Sequence, residues 1–357
     1  MIFFNNSHIF HSPEPPRERR RIYPLFLPFS GCKTRCIFCA QEMQTGQPAE
    51  NVRTVLKRAE TDFHKRLEAG SLPVDLAFFG GTFTALPAED LRACLDFAAR
   101  WIGRGLVSRL RCSTRPDALA PAALASLKAA GFSMVELGIQ SFDDATLRHS
   151  RRGYDAREAR QGCEAVLASG MALGIQLMPG MPGSTPESAR ADVDEAVKAG
   201  PCCARLYPCV VVEHTPLAAL WRQGGYTPWT VEESVRFLGP ACREFWRAGI
   251  PVIRMGLAQE PGLAANILAG PYHPELGGMA KGLALFLHIR EQLARVRETG
   301  VPPGGLHLYV PATWQGAFWG SKRALEAEYA AIGLPPEKIS WWDKEYFSLI
   351  ALYEKAK

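Results

Sequence analysis

Residues 22–42 read IYPLFLPFSGCKTRCIFCAQE. The run IYPLFLP has strand length, and the turn behind it opens into Cys32, Cys36 and Cys39, spaced C-x3-C-x2-C. A strand that feeds a functional loop is the building unit of parallel α/β barrels, which carry their chemistry at the C-terminal ends of their strands. The same texture recurs outward from this stretch. VDLAFFG, SRLRCST, SMVELGIQ, ALGIQLM, ARLYPCVVV and PVIRM read as further strands, with helix-periodic segments at 51–69, 88–102, 116–130, 156–169 and 185–198 between them. Gly or Pro stands at nearly every junction, which separates the elements. Alternating strand and helix implies right-handed crossovers and a parallel sheet. The expected fold is α/β: a partial (β/α)6 TIM-type barrel over residues 22–256.

The flanks read differently. Residues 1–21 are polar and end in RERRR, so a flexible basic N-terminal arm is expected there. After residue 256 the pattern is broken by Gly and Pro, then offers a helix at 278–298, the strand LHLYVP, a helix at 321–332 and a last short strand, KISWW. A C-terminal α/β extension over 257–357 is expected, with strands that add to the barrel's edge.

The totals fit a soluble globular protein. The 357 residues are 47% hydrophobic and 22% charged, with a formal net charge of +5. Such a chain builds a core without disulfide staples. A mild positive charge permits contact with nucleic acid but does not require it. No run approaches the roughly 20 apolar residues that span a bilayer, and the N-terminus lacks the features of a secretory signal, so a cytoplasmic, membrane-free protein is expected. Its ten cysteines should then be reduced and open to metal chemistry.

Three thiolates in one short loop can hold three irons of a cubane and leave the fourth without a protein ligand. That bare iron is where the amino and carboxylate groups of a sulfonium compound can chelate. Structural zinc is the competing reading of the cysteines alone, although it normally takes four protein ligands. Phe38, next to the last cysteine, is placed to pack on an adenine or to shield a cluster from water.

The C-x3-C-x2-C loop after a first strand resembles the radical SAM superfamily. FFGGTFT, STRPD, ELGIQSFDDATLRHSRRG, IQLMPGMPG and RLYPCVVVEHTPLAALWRQGGYTP follow in order. The series is most similar to the radical SAM domain of the Elongator catalytic subunit and its stand-alone bacterial relatives, and more distantly to oxygen-independent coproporphyrinogen III oxidase. The resemblance implies a 4Fe-4S cluster on Cys32, Cys36 and Cys39, with S-adenosyl-L-methionine as the second cofactor. It implies that Gly80, Gly81 and Thr82 approach the methionine amino group and that Ser113, Gln140, Arg152 and Gln176 face S-adenosylmethionine. Within that set Gln140 and Gln176 would bond the ribose and Arg152 the methionine carboxylate. Ser113 and Gln176 depart from the Glu and Asp of the porphyrinogen-oxidase branch, which argues against that branch's substrate. The Elongator subunit's acetyltransferase domain has no counterpart here, so acetyl transfer is not expected.

The implied activity is reductive cleavage of S-adenosylmethionine to a 5′-deoxyadenosyl radical that abstracts hydrogen from an unidentified substrate, with tRNA the first class to consider. A small molecule or peptide is the alternative substrate, and a non-catalytic metal- or cofactor-binding protein the alternative class. An oxygen-sensitive enzyme of this kind needs an electron donor such as flavodoxin or ferredoxin. Tyr207 and Cys209, near a strand end, are candidates to donate hydrogen to a substrate radical, with core packing as their competing role.

Overall fold

The computed structural model describes residues 7–16, 18, 20–46, 48–298 and 305–351. In chain order its first strands are β1 (Ser7–His11), β2 (Ile22–Leu27), β3 (Val74–Gly80), β4 (Val107–Thr114), β5 (Phe132–Gln140), β6 (Ala172–Leu177) and β7 (Cys203–Leu206). They continue with β8 (Val211–Val212), β9 (Val252–Met255), β10 (Ile267–Ala269), β11 (Leu306–Pro311), β12 (Ile339–Trp342) and β13 (Tyr346–Ala351). Among the described residues no helix is long and apolar enough to cross a membrane.

The chain divides into two compact units, one of them made of residues 17–230 and 252–272. Its frame is an all-parallel seven-stranded sheet in the order β2-β3-β4-β5-β6-β7-β9. Among the described residues the edge strands β2 and β9 do not pair with each other, and the sheet is a curled, open half-barrel of the expected class, with PVIRM supplying a seventh strand. Strand alternation explains the two faces. On one face Leu110, Cys112, Val135, Leu137, Ile175 and Ala204 are fully buried. The alternate positions Arg111, Ser113, Glu136, Gly138, Gln176 and Arg205 face the lumen.

The crossover helices begin where the local chemistry dictates. Asp155 accepts from the Glu158 N–H at 2.8 Å while the Glu158 side chain accepts from the Asp155 N–H at 3.0 Å, a reciprocal cap on the helix Ala156–Ala168. Thr185 and Ser188 do the same for the helix Pro186–Lys198. Each cap closes the loop that follows a barrel strand and so limits where that loop can go.

The second unit comprises, among the described residues, 7–16, 231–251 and 273–351. It holds a four-stranded sheet ordered β1-β13-β11-β12, in which only β11 and β12 run parallel. Two expectations are corrected here. The N-terminal stretch is not a loose arm throughout: Ser7–His11 pairs with β13, and Phe10 stacks on Phe347 with centroids 5.1 Å apart. The alternating SHIFH buries its phenylalanine, which outweighs the polar flanks. Residues 1–6, 17 and 19 of that arm lie outside the described residues. The C-terminal strands, in turn, build this separate sheet rather than extending the parallel one. The aromatic tail is core: Phe318 is fully buried and stacks on Tyr329 at 4.3 Å.

Candidate active site

The loop after β2 and the loop after β3 interlock through their backbones. Gly81 N–H donates to Leu27 O at 3.0 Å, and Thr82 N–H donates to Ser30 O at 2.8 Å. A Cβ on Gly81 would lie 2.0 Å from Ser30 O, and one on Gly31 2.2 Å from Thr82 O. These glycines therefore admit the cysteine loop itself to van der Waals distance. Gln41, just beyond the cysteines, ties the same two loops: its Oε1 accepts from Phe29 N–H at 2.6 Å and its Nε2 donates to Gly80 O at 2.9 Å.

The interlocked loops present Cys32, Cys36 and Cys39 on one cavity of about 430 Å³, lined also by Phe38, Gly80, Gly81, Thr82, Ser113, Gln140, Arg152, Gln176 and Tyr207. The structure thus brings together every residue singled out from the sequence except Cys209. That cysteine is buried in an apolar cluster with Cys36, Phe38, Met181 and Tyr226, and burial pushes its thiol up to about 12. Phe38 belongs to the cluster as well as to the cavity wall. Cys202 is exposed at the N-terminal end of β7, away from the strand ends that carry the site.

Each cysteine of the triplet has its own surroundings. Cys32 Sγ shares a hydrogen bond of 3.2 Å with Thr82 Oγ1. Cys36 Sγ accepts from Arg152 Nη1 at 2.9 Å. Burial, and then the nearby Cys36 and Cys32 sulfurs, push the Cys39 thiol up to about 12, so its deprotonation calls for a compensating cation. Arg152 is fully enclosed. Its Nε donates to Tyr154 Oη at 3.0 Å and its Nη2 to Gly138 O at 2.5 Å. Burial works against its charge, but Tyr154 and Cys36 outweigh it and hold the guanidinium protonated. Sequence reasoning assigned Arg152 to a carboxylate; here it reaches a cysteine sulfur, with two further N–H positions of its five left to offer.

Gln140 ends β5 in an uncommon backbone conformation, φ +66°, and is 7% exposed. Its Oε1 is buried and has no hydrogen-bond partner among the described residues. A strained residue carrying an orphaned carboxamide oxygen on a cavity wall is suited to a ligand hydroxyl. A Cβ at Gly138 would lie 2.8 Å from Gln140 Nε2, so the glycine keeps room for that side chain.

Glu136 was missed from the sequence, although one acidic residue inside the apolar strand SMVELGIQ was a usable signal. Its carboxylate, 1% exposed, accepts from Arg111 Nη2 at 2.8 Å, Arg205 Nε at 3.0 Å, Ser113 Oγ at 3.3 Å and Gln176 Nε2. Ser113 and Gln176 are thus joined through a residue that sequence spacing did not single out. Gly174 makes the room: a Cβ there would lie 3.1 Å from Glu136 Cγ. Arg205 Nη1 also donates to Tyr207 Oη at 2.9 Å.

The donor set suits an iron–sulfur cluster better than one ion. Thiolates sharing a single zinc sit about 2.3 Å from it. Among the described residues no group of three or more His, Cys, Asp or Glu side chains converges in that way. Three sulfurs along one cavity wall suit a larger body that leaves one corner open. The unpartnered Gln140 oxygen fits a nucleoside beside it.

Comparison with known proteins agrees with this arrangement. The family profile described as Radical SAM superfamily matches residues 26–196, and that of the radical SAM C-terminal domain matches residues 201–282. The tRNA uridine(34) acetyltransferase of Methanocaldococcus infernus is 25% identical over 245 residues, covering 58% of this chain and 46% of that protein. The heme chaperone HemW of Mycobacterium tuberculosis is 26% identical over 325 residues, covering 78% of this chain and 82% of that protein. The solved structure of M. infernus Elp3 with residues 1–46 deleted matches with a TM-score of 0.55 at 20% identity, over 79% of this chain and 64% of that one, a likeness of fold. The chain spans about half or less of the acetyltransferases it matches. The superfamily uses a 4Fe-4S cluster and S-adenosylmethionine, and the two profiles run almost without a break through the half-barrel and its cysteine loop. By its cysteine triplet, its parallel half-barrel and these matches, the chain belongs to the radical SAM superfamily.

Proposed function

We propose that the half-barrel is a radical SAM catalyst in which Cys32, Cys36 and Cys39 hold a 4Fe-4S cluster and the adjoining cavity holds S-adenosylmethionine. When bound, the two cofactors supply a 5′-deoxyadenosyl radical that removes a hydrogen atom from the substrate. The protein's part is to hold and orient. Thr82 steadies the Cys32 sulfur, and Arg152 sets a fixed positive charge against Cys36. Gln140 turns its free oxygen to a ribose hydroxyl, and the apolar cluster behind Phe38 keeps water from the sulfurs. Ser113 and Gln176 fix the Glu136 network below. Tyr207 stands on the cavity wall as the remaining candidate to hand a hydrogen to a substrate radical.

One observation carries the reading: three thiols and an unpartnered buried carboxamide oxygen share a single cavity at the C-terminal ends of parallel strands. The names of the acetyltransferase relatives support tRNA as the substrate; a cytoplasmic setting and a flavodoxin or ferredoxin as reductant complete the proposal. A second reading, cofactor carriage without catalysis, is favoured by the breadth of the match to the heme chaperone.

Anaerobic reconstitution with iron and sulfide, reduction with dithionite and chromatography for 5′-deoxyadenosine separate the two. Wild type is expected to form the product, and Cys36→Ala to lose it by at least 100-fold, since removing one of three ligands opens the cluster (order of magnitude from ligand-shell losses). A fully loaded cluster that yields none would favour carriage.

A further inference from the structure

The wall of the same cavity, on the side of Glu136, carries more positive than negative charge. Arg111 and Arg205 both spend hydrogen bonds on the one carboxylate of Glu136. Both guanidinium carbons also contact the Phe79 ring, at 5.6 Å and 5.4 Å from its centroid, which limits their movement. On the neighbouring strand Arg254 pairs in register with Arg205, so two like charges stand directly opposite each other, an arrangement that is unfavourable by itself. Among the described residues Arg254 makes no ion pair, although it is exposed on the cavity wall. Arg205 uses Nε for Glu136 and Nη1 for Tyr207 and makes no hydrogen bond through Nη2 among the described residues. Glu260 is the other carboxylate of the cavity lining, on the loop after β9 and outside ion-pair distance of both.

From this juxtaposition we propose that the substrate enters the half-barrel by a compact anionic group, a phosphate or a carboxylate, held between Arg205 and Arg254 with Tyr207 beside it. The proposal rests on the radical SAM reading for the claim that the occupant is the substrate. Arg205 is the pre-set half of the clamp, its Nε held by Glu136 and its outer nitrogen free. Arg254 is the movable half. An anion between them converts a like-charge pair into a bridged one, and a guanidinium fork recognises planar or tetrahedral oxyanions through paired N–H groups. S-adenosylmethionine would bring a sulfonium and an ammonium against one carboxylate, so its net charge would add to the positive excess of the cavity rather than cancel it.

The test uses the reconstituted wild-type protein and thermal unfolding against inorganic phosphate and against malonate, with chloride at matched ionic strength as reference. A saturable rise of Tm beyond chloride with either anion is expected, and the anion that works distinguishes a phosphate from a carboxylate substrate. Arg254→Gln should lose at least half of that rise, whereas Arg236→Gln, which removes an exposed charge of the other unit, should keep it. No rise beyond chloride in wild type, or an equal rise in Arg254→Gln, overturns the proposal. The same wild-type sample is assayed for 5′-deoxyadenosine. Product without an anion response fells the clamp and leaves the radical reading standing; an anion response without product does the reverse.

Discussion

Arg152 is the residue whose place in the structure changes its meaning. A fully buried guanidinium that donates to Cys36 Sγ at 2.9 Å is a charged hydrogen-bond donor to a would-be cluster ligand. Hydrogen bonds to cluster sulfurs, and charge near them, raise the reduction potential because they stabilise the extra electron. Arg152→Gln keeps a donor of similar reach and removes the charge. Its reconstituted cluster is expected to be harder to reduce, with a midpoint shifted negative by tens of millivolts in an EPR-monitored titration. A midpoint equal to wild type would show that the contact does not persist in the loaded protein. This role was not legible from RRG in the sequence, because it depends on where the loop after β5 returns relative to Cys36. The cysteines themselves were legible, since ligand spacing within one loop is a local property. Gln140 was legible as a cavity residue, but not its positive φ or its orphaned oxygen, which arise from the turn it makes.

At the scale of elements, the turn after β5 is held from the neighbouring helix. Asp192, on the helix Pro186–Lys198 and 5% exposed, accepts from Phe142 N–H at 2.6 Å. Burial raises its carboxyl to about 7, against the opposing hydrogen bonds of Ser141 and Phe142. An acid with a raised native pKa binds its proton more tightly folded than unfolded. Stability is therefore greatest below the unfolded value of 3.8 and is lost as pH rises through about 7. Asp192→Asn does not titrate. Urea unfolding is expected to show the variant gaining on wild type by up to about 4 kcal/mol between pH 4 and pH 8. Parallel profiles would place the buried charge elsewhere. The element pattern was read well where strands are apolar and alternate with capped helices. It was read poorly at the ends of the chain, since SHIFH acquires its strand role only by pairing with YFSLIA, more than 330 residues away, and YFSLIA by pairing with both SHIFH and β11. Glu136 was missed for a related reason: its network draws on three other strands, and no single stretch of sequence contains it.

At the scale of the whole molecule, the question is whether the cavity opens toward a polyanion. The net charge of +5 is too small to bind nucleic acid by bulk attraction, so any affinity must come from local cations. Lys33 and Arg35 are exposed on the cysteine loop, and Arg35, a cavity-lining residue, stacks over Phe29 at 3.9 Å, which holds it at the rim. If tRNA is the substrate, these two side chains meet phosphates at the mouth of the cavity. Binding measured across a salt series should weaken steeply, because each neutralised phosphate releases counterions. The double variant Lys33→Gln, Arg35→Gln should lower the slope of log K against log salt by about 2, one unit for each lost phosphate contact. Equal slopes would move the contact away from the cysteine loop. Undetectable binding of tRNA at low salt would take RNA out of consideration and leave a small anionic substrate, whose recognition needs only the arginines inside the barrel.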